Sequence, residues 1–185
     1  IQVIQRVRDK FPSLTMHVDC NSGYTIHDLQ QFRQLDELHL AMIEQPLQHD
    51  DLTDHARLQQ QIATPVCLDE SVRSVHLARQ ALSLGSCQYM NIKPGRVGGL
   101  TNALAIHDLC LQAGIPCWVG GMLESACGSA HCIALAMLGT AGAQMPNKGL
   151  VIRNTDGLIF IDMGRQDNVM KGDLFDIIDQ EMVLH

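Results

Sequence analysis

Apolar runs of three to five residues alternate along the chain with longer stretches whose apolar positions recur every three or four residues. That rhythm predicts short buried strands separated by amphipathic helices. The predicted strands run from Leu14 to Val18, Leu40 to Ile43, Pro65 to Leu68, Gln88 to Ile92 and Ile115 to Val119. Between them, Ile26, Leu29, Phe32, Leu35 and Leu38 mark one inward helical face. Thr25 and Asp28 form a capping pair ahead of it, while Asp51 to Gln61 predicts a more polar helix. Ser74 caps a helix that Gly85 stops, Leu100 to Ala113 is a helix ended by Gly114, and Ser125 to Leu138 is an Ala-rich helix. Ile1 to Lys10 reads as the body of another helix with no capping residue ahead of it. Near-continuous apolar strands in βα alternation mean a parallel sheet covered by helices.

Beyond Gly139 the rhythm changes. Leu150–Ile152 and Leu158–Ile161 flank Asn154-Thr155-Asp156-Gly157 and predict a β-hairpin, with a sixth strand near Gln144 and a short helix or tail from Gly172 to His185. The division expected is a barrel-like portion over 1–146 and a hairpin with tail over 147–185. Five or six parallel strands are too few for a closed (β/α) barrel, which takes about eight.

The totals narrow the function. A length of 185 residues is ample for one core, and a net charge of −7 without a basic block argues against nucleic acid or an anionic membrane as partner. No apolar run is long enough to span a bilayer. Seven cysteines, odd in number and without a Cys-x-x-Cys pair, read as free thiols in a reducing compartment, which points to the cytoplasm.

The chemistry gathers at the strand ends. Asp19, Glu44 and Asp69 each close an apolar run, and Lys93 closes the next, at intervals of 25, 25 and 24 residues. One strand-plus-helix unit of a (β/α) barrel has about that length, so three carboxylates and one ammonium arrive at the same rim. Three carboxylates in a partly dehydrated mouth repel one another, and a divalent cation is the simple remedy. All-oxygen ligands favour Mg²⁺ or Mn²⁺. Taken singly, each acid could equally cap a helix or pair with a basic residue. Lys93 could act as acid or base, stabilise an anion, or form a salt bridge with Asp69.

Five motifs carry a resemblance. Val18-Asp19-Cys20-Asn21-Ser22-Gly23-Tyr24, Ile43-Glu44-Gln45-Pro46-Leu47, Cys67-Leu68-Asp69-Glu70-Ser71 and Asn91-Ile92-Lys93-Pro94-Gly95-Arg96-Val97-Gly98-Gly99 resemble the barrel motifs of the enolase superfamily. Val119-Gly120-Gly121-Met122-Leu123-Glu124-Ser125 resembles its o-succinylbenzoate synthase and N-acylamino-acid racemase branch. The resemblance implies a partial TIM-type (β/α) barrel lacking the N-terminal capping domain and the first strands. It implies Mg²⁺ held by Asp19, Glu44 and Asp69, with a small-molecule carboxylate substrate and Lys93 as the catalytic lysine. Such enzymes use a Lys or His base with Mg²⁺ to hold an enediolate. Asn21, Gly120, Gly121 and Met122 would line the substrate pocket, although the two glycines could serve the turn alone. The activity implied is dehydration on the menaquinone route, with N-acylamino-acid racemisation as the alternative. A dipeptide epimerase would show Asp-x-Asp where Gly121-Met122-Leu123 stands. Family members also carry a Lys-x-Lys base on the preceding strand, and this chain contains no Lys-x-Lys. A third expectation is therefore a truncated, inactive product, and exposed sheet edges would favour a homo-oligomer.

Overall fold

The computed structural model describes residues 1–138, 150–155 and 158–162. The strand expected near Gln144 and the segment from Gly172 onward lie outside the described residues. Helix α1 (Gln2–Lys10) leads into β1 (Met16–Asp19), and a short 3-10 turn over Ile26–Asp28 runs on into α2 (Leu29–Asp36). Then follow β2 (Met42–Glu44), α3 (Leu52–Gln59), β3 (Val66–Leu68), α4 (Val75–Leu84) and β4 (Tyr89–Ile92). A single turn, α5 (Pro94–Val97), precedes α6 (Leu100–Ala113), β5 (Cys117–Val119) and α7 (Ala126–Ala136). Two further strands, β6 (Leu150–Thr155) and β7 (Leu158–Asp162), complete the order.

Strands β1 to β5 lie side by side and all pair in parallel, so every strand delivers its C-terminal end to one rim. The predicted hairpin is present: β6 and β7 pair antiparallel, with Thr155 opposite Leu158. It does not stand apart, because β6 pairs in parallel with β1, Val151 opposite His17. The sheet order is therefore β5-β4-β3-β2-β1-β6-β7. With helices over the parallel strands, this is a partial (β/α) barrel.

Burial explains the short strands. Met16, Ile43, Val66, Leu68, Met90 and Ile92 are almost wholly removed from water, as a sheet covered by helices requires. The helices bury the faces that the periodicity predicts: Phe32, Leu35 and Leu38 join the core, and so do Ala78, Ala81, Ala103 and Ile106. The strict spacing of three from Ile26 is met by a 3-10 opening, which has three residues per turn. Its cap is as expected, with Thr25 N–H and Oγ donating to Asp28 Oδ2 at 2.9 and 3.0 Å. Ser74 Oγ accepts from Leu77 N–H at 3.2 Å, and Gly85 and Gly114 end α4 and α6 in the left-handed conformation that glycine adopts at little cost. All seven cysteines are free, with Cys67, Cys87, Cys110 and Cys117 buried. Among the described residues no helix is long and apolar enough to cross a membrane.

Candidate active site

Register places the acids. Asp19 is the last residue of β1 and sits opposite Glu44, the last of β2, which is also bonded through its strand to Cys67 of β3. Asp69 follows β3 directly, and Lys93 follows β4. Side chains alternate along a strand, so residues two apart share a face. His17 shares a face with Asp19, and Asn91 with Lys93.

The rim side chains form three hydrogen-bonded groups set side by side. Lys93 Nζ lies 2.7 Å from Asp69 Oδ2, and the Arg96 guanidinium pairs with Asp69 Oδ1. Asn91 Nδ2 donates to Glu44 Oε1 at 2.8 Å. Asn21 holds Asp19 twice, through its backbone N–H to Oδ1 and its amide to Oδ2, both at 3.0 Å, and the same amide reaches Glu70 Oε1 at 3.0 Å. The structure thus connects Lys93 to Asp69 and sets Asp19 beside Glu44. The salt bridge to Asp69, one of the roles left open for Lys93, is present, and Arg96 shares it.

Electrostatics follow from burial. Glu44 is 3% exposed. Burial first, then repulsion from Asp19, pushes its carboxyl up to about 8, and the Asn91 hydrogen bond only partly opposes this. Asp19 is also raised, by burial against the hydrogen bonds of Asn21, with Glu70 and Asp69 adding repulsion. Burial pushes His17 down to about 4, so the imidazole is neutral. Its ring lies 6.2 Å from that of Trp118, and its Nε2 stands 3.8 Å from Glu44 Oε2. Two buried polar atoms beside Glu44, His17 Nε2 and Asn91 Oδ1, have no hydrogen-bond partner.

The turn after β5 packs against two of these groups. A Cβ on Gly120 would come within 2.3 Å of Asn91 Oδ1 and 2.7 Å of Lys93 Cε. Gly120 is not among the residues with positive φ, so the glycine is required for space and not for the turn. Gly121 is looser, with only Glu124 Oε2 at 3.4 Å. Met122 is half exposed, and its Sδ lies 3.7 Å from where a Cβ on Gly95 would be. A cavity of about 510 Å³ opens on the α1 side of the rim and includes Asp19, Asn21 and Tyr24 in its lining, but not Glu44, Asp69 or Lys93.

His17, Gln45, Glu70, Asn91 and Arg96 belong to the site as well. Asn91 and His17 are signalled by strand alternation alone, two residues before Lys93 and Asp19. Glu70, Gln45 and Arg96 lie inside the quoted motifs, but nothing in their spacing separates them from loop residues.

The donor set fits a hard divalent cation by its chemistry: three carboxylates, two of them raised by burial and mutual repulsion, would be relieved by one. As the side chains stand, no three His, Cys, Asp or Glu among the described residues form a ready-made ion site. Both Asp69 oxygens are taken by Lys93 and Arg96.

A family model described as "Enolase C-terminal domain-like" matches residues 1–162. The chain belongs to the enolase superfamily. Among curated relatives of this enolase-type chain, an o-succinylbenzoate synthase from Geobacillus kaustophilus is 56% identical over 138 residues, covering 75% of this chain and 37% of the relative. An N-succinylamino acid racemase from Thermus thermophilus is 49% identical over 137 residues, covering 74% and 37%. In three dimensions, a dipeptide epimerase from Cytophaga hutchinsonii, solved with Mg and the dipeptide D-Ala-L-Val, matches with a TM-score of 0.71 at 27% identity, covering 75% of this chain and 39% of that one. The chain therefore spans a little over a third of the length of the proteins it matches.

Proposed function

We propose that this chain carries the metal-binding half of an o-succinylbenzoate synthase site, a Mg²⁺-dependent lyase of menaquinone biosynthesis. The observation that carries the reading is the run of Asp19, Glu44 and Asp69 on three consecutive parallel strand ends, with Lys93 on the fourth and paired to Asp69. The relative at 56% identity supports the synthase reading over other reactions of the superfamily.

Asp19, Glu44 and Asp69 would hold the ion, with Mn²⁺ as a substitute. A divalent cation held there would supply Lewis-acid stabilisation of the negative charge that develops on a substrate carboxylate. The protein's residues do the rest. Asn91 holds Glu44 by one oxygen, and Asn21 holds Asp19 by both. Lys93 brings its ammonium to the rim, where it stabilises the enediolate electrostatically. Arg96 keeps Asp69 paired when Lys93 turns to substrate. Asn21, Gly120, Gly121 and Met122 are proposed to line the pocket, Gly120 by leaving room for Lys93. The substrate is a small carboxylate, and the seven free thiols suit the cytoplasm.

N-succinylamino acid racemisation is the second reading, favoured by the Thermus relative at 49% identity. There Lys93 would exchange a proton with the α-carbon on one face. One experiment separates them: the chain is incubated with Mg²⁺ in D₂O, once with the synthase substrate and once with N-succinyl amino acids. Dehydration supports the first reading, and α-deuterium exchange with racemisation the second. Lys93→Ala should lower either rate by about a hundredfold or more, the scale of an electrostatic stabiliser in the first reading and of an acid–base group in the second. Metal binding without turnover of either substrate would count against both readings.

A further inference from the structure

Gln45 follows Glu44 at the end of β2 and is wholly buried. Its backbone sits in the left-handed region, with φ +37°, which a non-glycine residue adopts only at a cost. The conformation turns the side chain across the rim toward the end of β3. There Oε1 accepts the backbone N–H of Asp69 at 2.9 Å and of Ser71 at 3.1 Å. Backbone N–H groups only donate, so the amide orientation is settled by chemistry and Nε2 must face the other way. Nε2 donates to Ser71 Oγ at 2.8 Å and to the Leu47 carbonyl at 3.1 Å.

His55 backs this amide, with its Nε2 3.4 Å from Gln45 Nε2. His55 Nε2 accepts Leu47 N–H at 3.2 Å, which places the ring proton on Nδ1, 2.6 Å from the Asp51 carbonyl. The main chain of Gln45 extends the strap, since its N–H donates to the Cys67 carbonyl and its carbonyl accepts Ser22 N–H, both at 2.8 Å. One residue therefore touches the segments that carry all three acids: Glu44 by peptide bond, Asp69 by side chain, and the turn after Asp19 by its carbonyl.

We infer that Gln45 is the positioning residue of the metal site, its buried amide fixing where Asp69 stands relative to Glu44 and Asp19. The inference rests on the proposed metal reading. It differs from ordinary core satisfaction because the molecule contains its own comparison. At the opposite end of β3, Gln59 is a second buried amide: its Oε1 accepts Val66 N–H at 2.6 Å, and its Nε2 reaches the Ile62 and Thr64 carbonyls at 3.5 and 3.3 Å. The two glutamines anchor the same strand by the same chemistry. Only Gln45 does so at the carboxylates.

The test is a titration of the 185-residue chain with Mn²⁺, free ion being read by electron paramagnetic resonance and the thermal midpoint recorded without metal. Asp69→Asn should abolish or greatly weaken binding. Gln45→Met, which keeps length and loses every hydrogen bond, should weaken binding about tenfold or more, the loss typical of a group that orients a ligand. Gln59→Met should lower the midpoint by a similar amount yet leave Kd within about twofold of the parent, an energetically small change. Ser71→Ala removes only the acceptor of one Nε2 bond and should cost about threefold, so it decides the matter should Gln45→Met not fold. Equal weakening by the two Met variants, or an unchanged Kd in folded Gln45→Met or in Ser71→Ala, overturns the inference alone. Failure of the parent chain to bind Mn²⁺ in a manner sensitive to Asp69→Asn overturns the metal reading and this inference with it.

Discussion

Glu44 concentrates the energetic tension of the site. A carboxyl that ionises near 4.5 in the unfolded chain is held to about 8 in the folded one by burial and by Asp19. The folded state thus binds the extra proton between those values. This contribution to stability is complete below the unfolded pKa and is lost as pH rises through the folded pKa. His17 has the opposite sign, because its folded pKa of about 4 lies below the ordinary 6.5. Its contribution is present above the unfolded pKa and disappears as pH falls through the folded one. From about pH 6.5 to pH 8, therefore, Glu44 dominates this pair, and the metal-free chain should lose about 1.5 kcal/mol. Glu44→Gln keeps an acceptor for Asn91 and removes the titration. Urea unfolding at the two pH values should show the slope in the parent and a much flatter response in Glu44→Gln. Equal slopes would mean that Glu44 is ionised at neutral pH without a metal.

Among the elements, α1 depends most on a single side chain. Its last turn carries Arg8, whose guanidinium crosses to four carbonyls. Nε reaches Leu38 at 2.9 Å, Nη1 reaches Pro12 and Leu14 at 3.0 and 2.6 Å, and Nη2 reaches His39 at 3.1 Å. One planar fork thereby ties α1 to the lead-in of β1 and to the end of α2. Apart from Val7, α1 buries little. Arg8→Ala should cost about 2 kcal/mol, because hydrogen bonds from a charged donor are lost and carbonyls are left to water. Arg8→Lys should recover little of it, since a point charge cannot reproduce the fork. Denaturant midpoints would measure both, and recovery by lysine would show that charge alone holds the helix.

Among the described residues the sheet ends at β5 on one side and at β7 on the other. Strand β6 shields the edge of β1. Next to β5, Leu123 is fully exposed and Met137 is 81% exposed, with Met122, Ile133 and Leu138 beside them in sequence also largely open. Unpaired strand edges with neighbouring apolar side chains favour association. Light scattering on the 185-residue chain should therefore show mass rising with concentration. Leu123→Lys combined with Met137→Lys should shift it toward the monomer. A monodisperse monomer at every concentration would mean that this face does not self-associate.

Much of this was legible before any coordinates. Strand ends at Asp19, Glu44, Asp69 and Lys93 follow from apolar runs of βα spacing, and helix ends at Ser74, Gly85 and Gly114 follow from local capping chemistry. These features are local in the chain, so residue order determines them. Arg96 on Asp69, the parallel pairing of β6 with β1, and the want of room beside Gly120 are contacts between segments far apart in sequence. Periodicity carries no information about which of several competing partners a side chain finds. The strap from Gln45 to Asp69 belongs to the same class: a glutamine after a strand reads as loop until folding buries it, and burial is what obliges its amide to find those partners.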